Sequence, residues 1–189
     1  MLTVIERRSN DLSPIQVGVG VSGEAEAAVH SIRRVVDNLT DNHVLVKLDF
    51  VNAFNSVRRD TILQSTAQNM PELYKFVLAS HSCEAKLMFG EDIVLSREGS
   101  QQGDPLSAVK FCDAVHPTLQ RCEARTKLGF MDDVKLEGKV QVVASDVQAI
   151  IDAYPETGLR LNPSKCEIVC SNFDILNDYP VFKEFKRKV

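Results

Sequence analysis

The sequence has no apolar run long enough to span a bilayer. Its opening stretch, MLTVIERRSNDLS, is charged within its first few residues and lacks the apolar core of a secretory signal. Both absences lead us to expect an intracellular protein, nuclear or cytoplasmic, in which the Asn38-Leu39-Thr40 triplet goes unused as a glycosylation acceptor. Paired Cys-x-x-Cys spacing is missing as well. The 5 cysteines, Cys83, Cys112, Cys122, Cys166 and Cys170, are odd in number, which argues for reduced thiols and against a zinc module. The 4 histidines, His30, His43, His81 and His116, show no ligand spacing, so surface or helix-packing places are expected for them. Excess positive charge is absent too. A formal charge of -4 counts against nucleic-acid binding by the chain as a whole and leaves that task to local basic patches. There is no internal repeat and no low-complexity linker.

What is present is enough for a packed domain. The chain has 189 residues, 44% of them apolar and 25% charged. Apolar residues recur at helical spacing from Glu24 to Leu39. HVLVKLDF then alternates, with Val44, Val46 and Leu48 on one face and Leu45, Lys47 and Asp49 on the other. RRDTILQSTAQN and PELYKFVLAS read as short helices, the second started by Pro71. AKLMFGEDIVLS reads as a hairpin turning near Gly90. DPLSAVKFCDAVHPTLQRC reads as a helix with Asp104 as N-cap and Pro105 at its first position, kinked or ended by Pro117. KLGFMDDVKLE reads as two strands joined at an aspartate pair. VQVVASDVQAIIDAYPE reads as a helix with Val143, Val147, Ile150, Ile151 and Tyr154 inward, closed by Gly158 and followed by LRLN and CEIVC as strands. This order predicts an α+β fold, an antiparallel sheet backed by helices on one face. A split βαβ layout of the ferredoxin type would bring the end of the VKLDF strand beside Asp132 and Asp133.

Three carboxylates meeting at one spot repel each other unless cations neutralise them. Mg²⁺ takes hard oxygen ligands and commonly uses one or two carboxylates plus substrate phosphates. Two such ions can clamp the attacking and leaving oxygens of a phosphoryl transfer. Taken alone, the Asp132–Asp133 pair fits a polar hairpin turn equally well, and Asp49 fits a strand-end charge facing solvent. The combination carries the signal.

Four blocks in order resemble the palm of a reverse transcriptase, of the non-LTR (LINE-type) retrotransposon kind. VKLDFVNAFNSV is similar to the first metal-binding block, which implies Asp49 and the Phe50 carbonyl as ligands. EGSQQGDPLS is similar to the template- and nucleotide-positioning block, FMDDV to the aspartate-pair block, and GLRLNPSKCEIV to the block whose lysine approaches the incoming triphosphate. The match runs from about Gln16 to about Cys170. The resemblance implies an RNA template, a DNA primer, a deoxynucleoside triphosphate and two Mg²⁺ ions, for which Mn²⁺ can substitute, held by Asp49, Asp132 and Asp133. It also implies that Phe54 lies under the sugar, where it would clash with a 2′-hydroxyl; a core aromatic is the other reading of that residue. Gln102 would hydrogen-bond the template, and Gly103 would let backbone approach a base or sugar. Lys165 would neutralise or protonate the leaving pyrophosphate, or else be a solvated surface lysine.

Against that pattern we expect residues 1–15 to be a remnant of upstream fingers or a non-native N-terminus, 16–171 the palm, and 172–189 the start of a thumb or a frayed tail. Lys110 and Asp113 interrupt a helix where the family is usually apolar and are expected to sit outward as an i, i+3 pair. Lys135 and Glu137 stand where smaller or neutral residues are commoner in the family, as in a decaying element. Arg58 and Arg59 are expected on a solvated face. Two alternatives stay open: a catalytically silent remnant that binds nucleic acid or a protein partner, and another palm-type phosphotransferase such as a nucleotide cyclase.

Overall fold

In the computed structural model, which describes residues 2–20, 23–82, 84–101 and 103–188, side-chain alternation sets the central sheet. Strand β1 (His43–Leu48) turns Val44, Val46 and Leu48 into a core and leaves Lys47 on the opposite face. Strand β5 (Asp133–Lys139) lies antiparallel beside it, with Leu48 opposite Val134 and Lys47 opposite Lys135. Strand β4 (Thr126–Phe130) pairs with the far edge of β5, and β6 (Glu167–Val169) with the other edge of β1. Strand β7 (Lys186–Lys188) joins β6 in parallel, giving the order β4-β5-β1-β6-β7.

Helix α7 (Val140–Asp152) follows β5 directly and covers the Val44 face. Its Val143, Val147 and Ile150 pack against Leu136 and Ile168. Burial of each such side chain stabilises by about 1.5–3 kcal/mol. A second core lies among helices α1 (Leu2–Leu12), α3 (Ala53–Ser56), α4 (Arg59–Asn69), α5 (Pro71–His81) and α6 (Ser107–Arg121), around Leu12, Ile62, Met70, Val77 and Phe111. Helix α2 (Glu24–Asp37), the short α8 (Tyr154–Thr157) and a separate hairpin of β2 (Ala85–Phe89) and β3 (Asp92–Ser96) complete a mixed α/β arrangement.

Several expectations change. The run expected as thumb start or frayed tail is tied down: Lys186 N–H donates to the Cys166 carbonyl at 2.8 Å, and Phe182 and Phe185 are buried. Helix α6 starts at Ser107, because Asp104 and the following turn precede it, and it runs through Pro117 to Arg121. Packing against α1 and α4 outweighs the lost hydrogen bond. Lys110 and Asp113 do not face outward or pair with each other; they are 1% and 0% exposed. Each has its own partner, because a buried charge left unpaired would be too costly. LRLN does not form a strand: Leu161 makes only an isolated bridge to Phe50. Tyr154, expected inward, is 49% exposed, since α7 ends at Asp152 and the chain turns. Glu137 is not left unpaired. It is fully buried and accepts hydrogen bonds from Arg125 and Thr126, with His43 Nδ1 at 2.8 Å.

Candidate active site

Asp49 follows β1 and is clamped by its main chain. Its N–H donates to Cys166 Sγ at 3.3 Å, and its carbonyl accepts from Asn162 N–H at 2.8 Å. The Cys166 thiol also points its proton at the Asp49 carbonyl, 3.8 Å away. Burial pushes this thiol up to about 11, so it stays S–H. Further along, Val51 N–H donates to Arg160 C=O and Arg58 N–H to Thr157 C=O. Segments 49–58 and 157–166 therefore run side by side. Gly158, at φ 75°, makes this approach possible, because a Cβ there would lie 2.3 Å from the Ser56 carbonyl.

The aspartate pair sits on the turn between β4 and β5. Phe130 pairs with Asp133, and Met131 takes φ 56° to close the turn. The register places Asp133 across from Asp49, one step beyond the Leu48–Val134 pair, with Asp132 exposed on the turn. Lys47 Nζ lies 3.2 Å from Asp133 Oδ1. That hydrogen bond holds the Lys47 ammonium above its ordinary pKa. Burial pushes Lys135, directly opposite, below its own. Among the described residues, no group of three or more His, Cys, Asp or Glu side chains forms a metal cage. Asp49, after the end of β1, and the Asp132–Asp133 turn, at the start of β5, lie at one end of the sheet.

The predicted positioning block docks on the Asp49 segment. Gly99 N–H donates to Val57 C=O at 3.0 Å and Ser100 N–H to Phe54 C=O at 2.7 Å. A Cβ at Gly99 would come within 2.5 Å of the Asn55 backbone, so the contact requires glycine. Gly103 takes φ 92° and faces open space. Gln102 lies outside the described residues, as does Cys83. Asp104 does not cap α6 directly; its Oδ1 accepts from Leu106 N–H at 2.8 Å and its Oδ2 pairs with the buried Lys110 Nζ. Desolvation pushes the Asp104 carboxyl upward, but Lys110 and the Leu106 amide outweigh it and hold the pKa below the usual range. Arg59 is not simply solvated: it bonds Ser96 Oγ at 2.9 Å and the carbonyls of Glu98 and Gly99 at 3.3 Å. Arg58 pairs with Asp60.

Phe54 is half-buried and stacks on Phe111, centroids 4.4 Å apart and planes at 18°. Lys165 is exposed on the Asn162–Cys166 turn. Blocks separated by more than 100 residues thus meet: Asp49, Phe50, Asp132 and Asp133 at the sheet end, with Phe54, Gly103 and Lys165 on segments docked around it. Sequence reasoning missed the Asn162–Cys166 clamp, because a lone buried thiol has no pattern of its own.

The site thus lies on a mixed sheet with acidic residues at the ends of β1 and β5, helices behind it and a glycine-bearing turn docked beside it. The chain belongs to the reverse transcriptase (RNA-dependent DNA polymerase) family, whose sequence profile matches residues 4–179. No curated protein matches it in sequence. Among solved structures it is similar to apo telomerase from Candida tropicalis truncated from its C-terminal domain, at 16% identity and TM-score 0.62, covering 88% of this chain and 39% of that one. It is also similar to telomerase from Candida albicans in complex with a fragment of telomeric RNA, at 9% identity and TM-score 0.65, covering 90% and 34%. At these identities the likeness is one of fold, and the chain spans little more than a third of those structures. No helix among the described residues is long and apolar enough to cross a membrane.

Proposed function

We propose that the chain is the palm of an RNA-directed DNA polymerase of a non-LTR retrotransposon, part of a longer enzyme, with its sheet in the split βαβ layout. Residues 16–171 form that palm. The observation that supports this reading is the clamp on Asp49: Asn162 N–H and Cys166 Sγ hold its backbone just after β1, whose last residue, Leu48, pairs with Val134, next to the aspartate turn.

In the reaction, the 3′-oxygen of a DNA primer attacks the α-phosphorus of a deoxynucleoside triphosphate and pyrophosphate leaves. Two Mg²⁺ ions, when bound, would supply neutralising charge for the attacking and leaving oxygens. The protein's own part is orientation. Asp49, Asp132 and Asp133 form the acidic centre, and the Phe50 carbonyl lies next to it. Phe54, held flat by Phe111, presents its free edge where a 2′-hydroxyl would enter. Gly103 stands on the turn that would meet template and nucleotide, and Gln102, which precedes it in sequence, would hydrogen-bond the template. Lys165 is free to reach the leaving phosphates.

The test is extension of a DNA primer on an RNA template with Mg²⁺ or Mn²⁺, with Asp132→Ala alongside. Extension lost in the variant supports the reading. Folded protein without extension in either form moves the chain to the silent-remnant alternative. A product made from a single nucleotide without template would favour the cyclase alternative.

A further inference from the structure

Strand β4, which leads into the aspartate turn, is the edge of the main sheet, and an edge leaves backbone groups without ladder partners. A segment from the N-terminal side supplies them at one point. Gly129 N–H donates to the Ile15 carbonyl at 2.6 Å, and Val17 N–H donates to the Gly129 carbonyl at 2.8 Å. Gln16, between them, is 1% exposed. Its carboxamide lies flat against Gly129, where a Cβ would come within 2.8 Å of its carbon, nitrogen and oxygen. Gln16 Oε1 accepts from the Cys112 thiol of α6 at 3.5 Å. Burial pushes that thiol up to about 12, against the opposing pull of the Met131 backbone. Gly18 packs on the turn itself: a Cβ there would come within 3.0 Å of the Met131 nitrogen. The segment is anchored in turn by α1, where the Leu12 carbonyl accepts from Gln16 N–H at 3.0 Å and Arg8 is bonded to Asp113 of α6. One atom of Gln16 is out of place for a purely structural side chain. Its Nε2 is buried and has no hydrogen-bond partner among the described residues. A bare buried donor is costly, and an apolar side chain of the same length would fill the space without that cost.

We propose that Gln16 is a positioning residue for the aspartate turn: its carboxamide joins Gly129 of β4 to Cys112 of α6 and so fixes where residues 131–133 stand. The proposal rests on the reading of that turn as part of a reverse transcriptase centre. Gln16 touches no reacting group and acts through its neighbours. Met131 holds the turn at φ 56°, a backbone region that a non-glycine residue keeps only where its surroundings impose it. Gly18 presses on it from the N-terminal segment, and Met131 packs against the helical core to which Cys112 belongs. Gln16 ties those two supports to each other and to β4. Without the carboxamide, β4 is free to slide on α6 and to carry the turn with it, while β1, β5 and α7 keep their own core. Gly129 is explained by the same contact, since no other residue leaves room for the carboxamide.

The test compares the full chain with Gln16→Met, which keeps the length of the side chain and removes its carboxamide. Denaturant unfolding of the variant is expected to match the parent or exceed it. Amide hydrogen exchange at Gly129 and Met131 is expected to quicken about tenfold, with Val46 in β1 unchanged, the mark of a local opening. In primer extension, kcat is expected to fall about tenfold while KM for the deoxynucleoside triphosphate stays within about twofold, as for a misplaced reacting group. Cys112→Ser, which keeps a donor for Gln16, is expected to lose less than Cys112→Ala. Gln16→Met joined to Cys112→Ala should do no more harm than either alone, because both break one connection. Unchanged exchange at Gly129 and Met131 overturns the proposal, as does an unchanged kcat. A variant that unfolds more easily and exchanges faster throughout the sheet makes Gln16 a plain packing residue and overturns it too. If the folded parent extends no primer, the reverse transcriptase reading falls, and the exchange rates alone decide whether Gln16 holds the turn.

Discussion

The two cores of the molecule are held together by different means. On the sheet side, Val44, Val46, Leu48, Leu136, Val143, Val147 and Ile168 pack together, and the buried charges there are the carboxylates Glu137, bonded by Arg125 and Thr126, and Asp146, bonded by the backbone N–H groups of Glu123 and Ala124. On the helical side, Phe111, Ile62 and Met70 share space with buried Arg8, Lys110, Asp113 and His116. Arg8 Nε donates to Asp113 Oδ1, which also accepts from Asn69 Nδ2 at 2.9 Å. Both cores are stabilised by area removed from water; in the helical one both signs of charge, Arg8 and Lys110 as well as Asp113, are themselves buried and depend on pairing, whereas on the sheet side the cation of the Arg125–Glu137 pair stays exposed. The candidate active site lies on their seam. Phe50 packs against both cores, Val134 belongs to the sheet side and Met131 packs against the helical side. Asp49 and the aspartate pair are delivered by the sheet side, Gly103 and Asp104 by the helical side. The site keeps its shape only while both bodies hold.

The sharpest way to break this comparison is to remove one charge from the helical core. Arg8→Met strands the Asp113 carboxylate, and breaking such a buried pair destabilises by about 3–5 kcal/mol. Removing both charges, in Arg8→Met with Asp113→Leu, is expected to return most of that loss or exceed the parent's stability. Denaturant unfolding gives both values. On the sheet side, Leu136→Ala is expected to lose about 2–5 kcal/mol by opening a cavity, with no second substitution that restores it by charge balance. A helical core that tolerates Arg8→Met better than the sheet tolerates Leu136→Ala would show that its ion pairs are incidental.

How far the sequence could be read follows the same division. The sheet side was legible because alternation fixes which face each strand buries, and a slip of one residue would invert it. β1, β4, β5 and α7 fall where the pattern puts them, and the aspartate turn lies between its two strands as expected. The helical side was less legible. Lys110 and Asp113 read as outward residues because charge in a helix usually marks the wet face. Their partners, Asp104 and Arg8, come from other segments that no helical period connects. Helix α1 itself was missed, since LTVIERRSNDL carries little apolar content and its place depends on Arg8 reaching Asp113. Neither the Lys47–Asp133 pair nor the Cys166 clamp could be read locally, because each joins residues that meet only once the sheet has formed.

A smaller effect is expected at the seam. Cys166→Ala takes away the acceptor for the Asp49 amide and leaves a poorly solvated N–H unpaired, a loss of about 1–3 kcal/mol. Cys166→Ser restores an acceptor and a donor, though the shorter hydroxyl reaches less far, so its stability should fall between parent and alanine variant. Thermal unfolding of the three proteins ranks them. If serine and alanine behave alike, the thiol fills space and does not hold Asp49.

The mildest lever is pH, and it acts on the two cores at different points. Burial is the largest cause that lowers the pKa of His81 and His116 from 6.5, with Lys110 and Arg59 adding to it at the first and Arg8 and Lys127 at the second. Asp104 pulls the other way at His81, as Asp113 and Asp11 do at His116. A depressed histidine is neutral in the folded state while the unfolded chain takes up a proton. Its contribution is therefore intact above 6.5 and is lost as pH falls from there through the folded value, by at most about 1.4 kcal/mol per unit for each histidine. Glu137, on the sheet, follows a carboxylate's window. Burial pushes it upward, but Arg125, His43 and Thr126 outweigh that and leave its pKa below 4.5, so its contribution is lost only below that pH. Stability measured from pH 8 downward should therefore decline in two stages, the first belonging to the helices. His116→Leu should flatten the first stage and leave the second, whereas Glu137→Gln should do the reverse. A first stage unchanged by His116→Leu and by His81→Leu would mean that the buried charges of the helical core do not sense pH, and that its difference from the sheet core is one of composition alone.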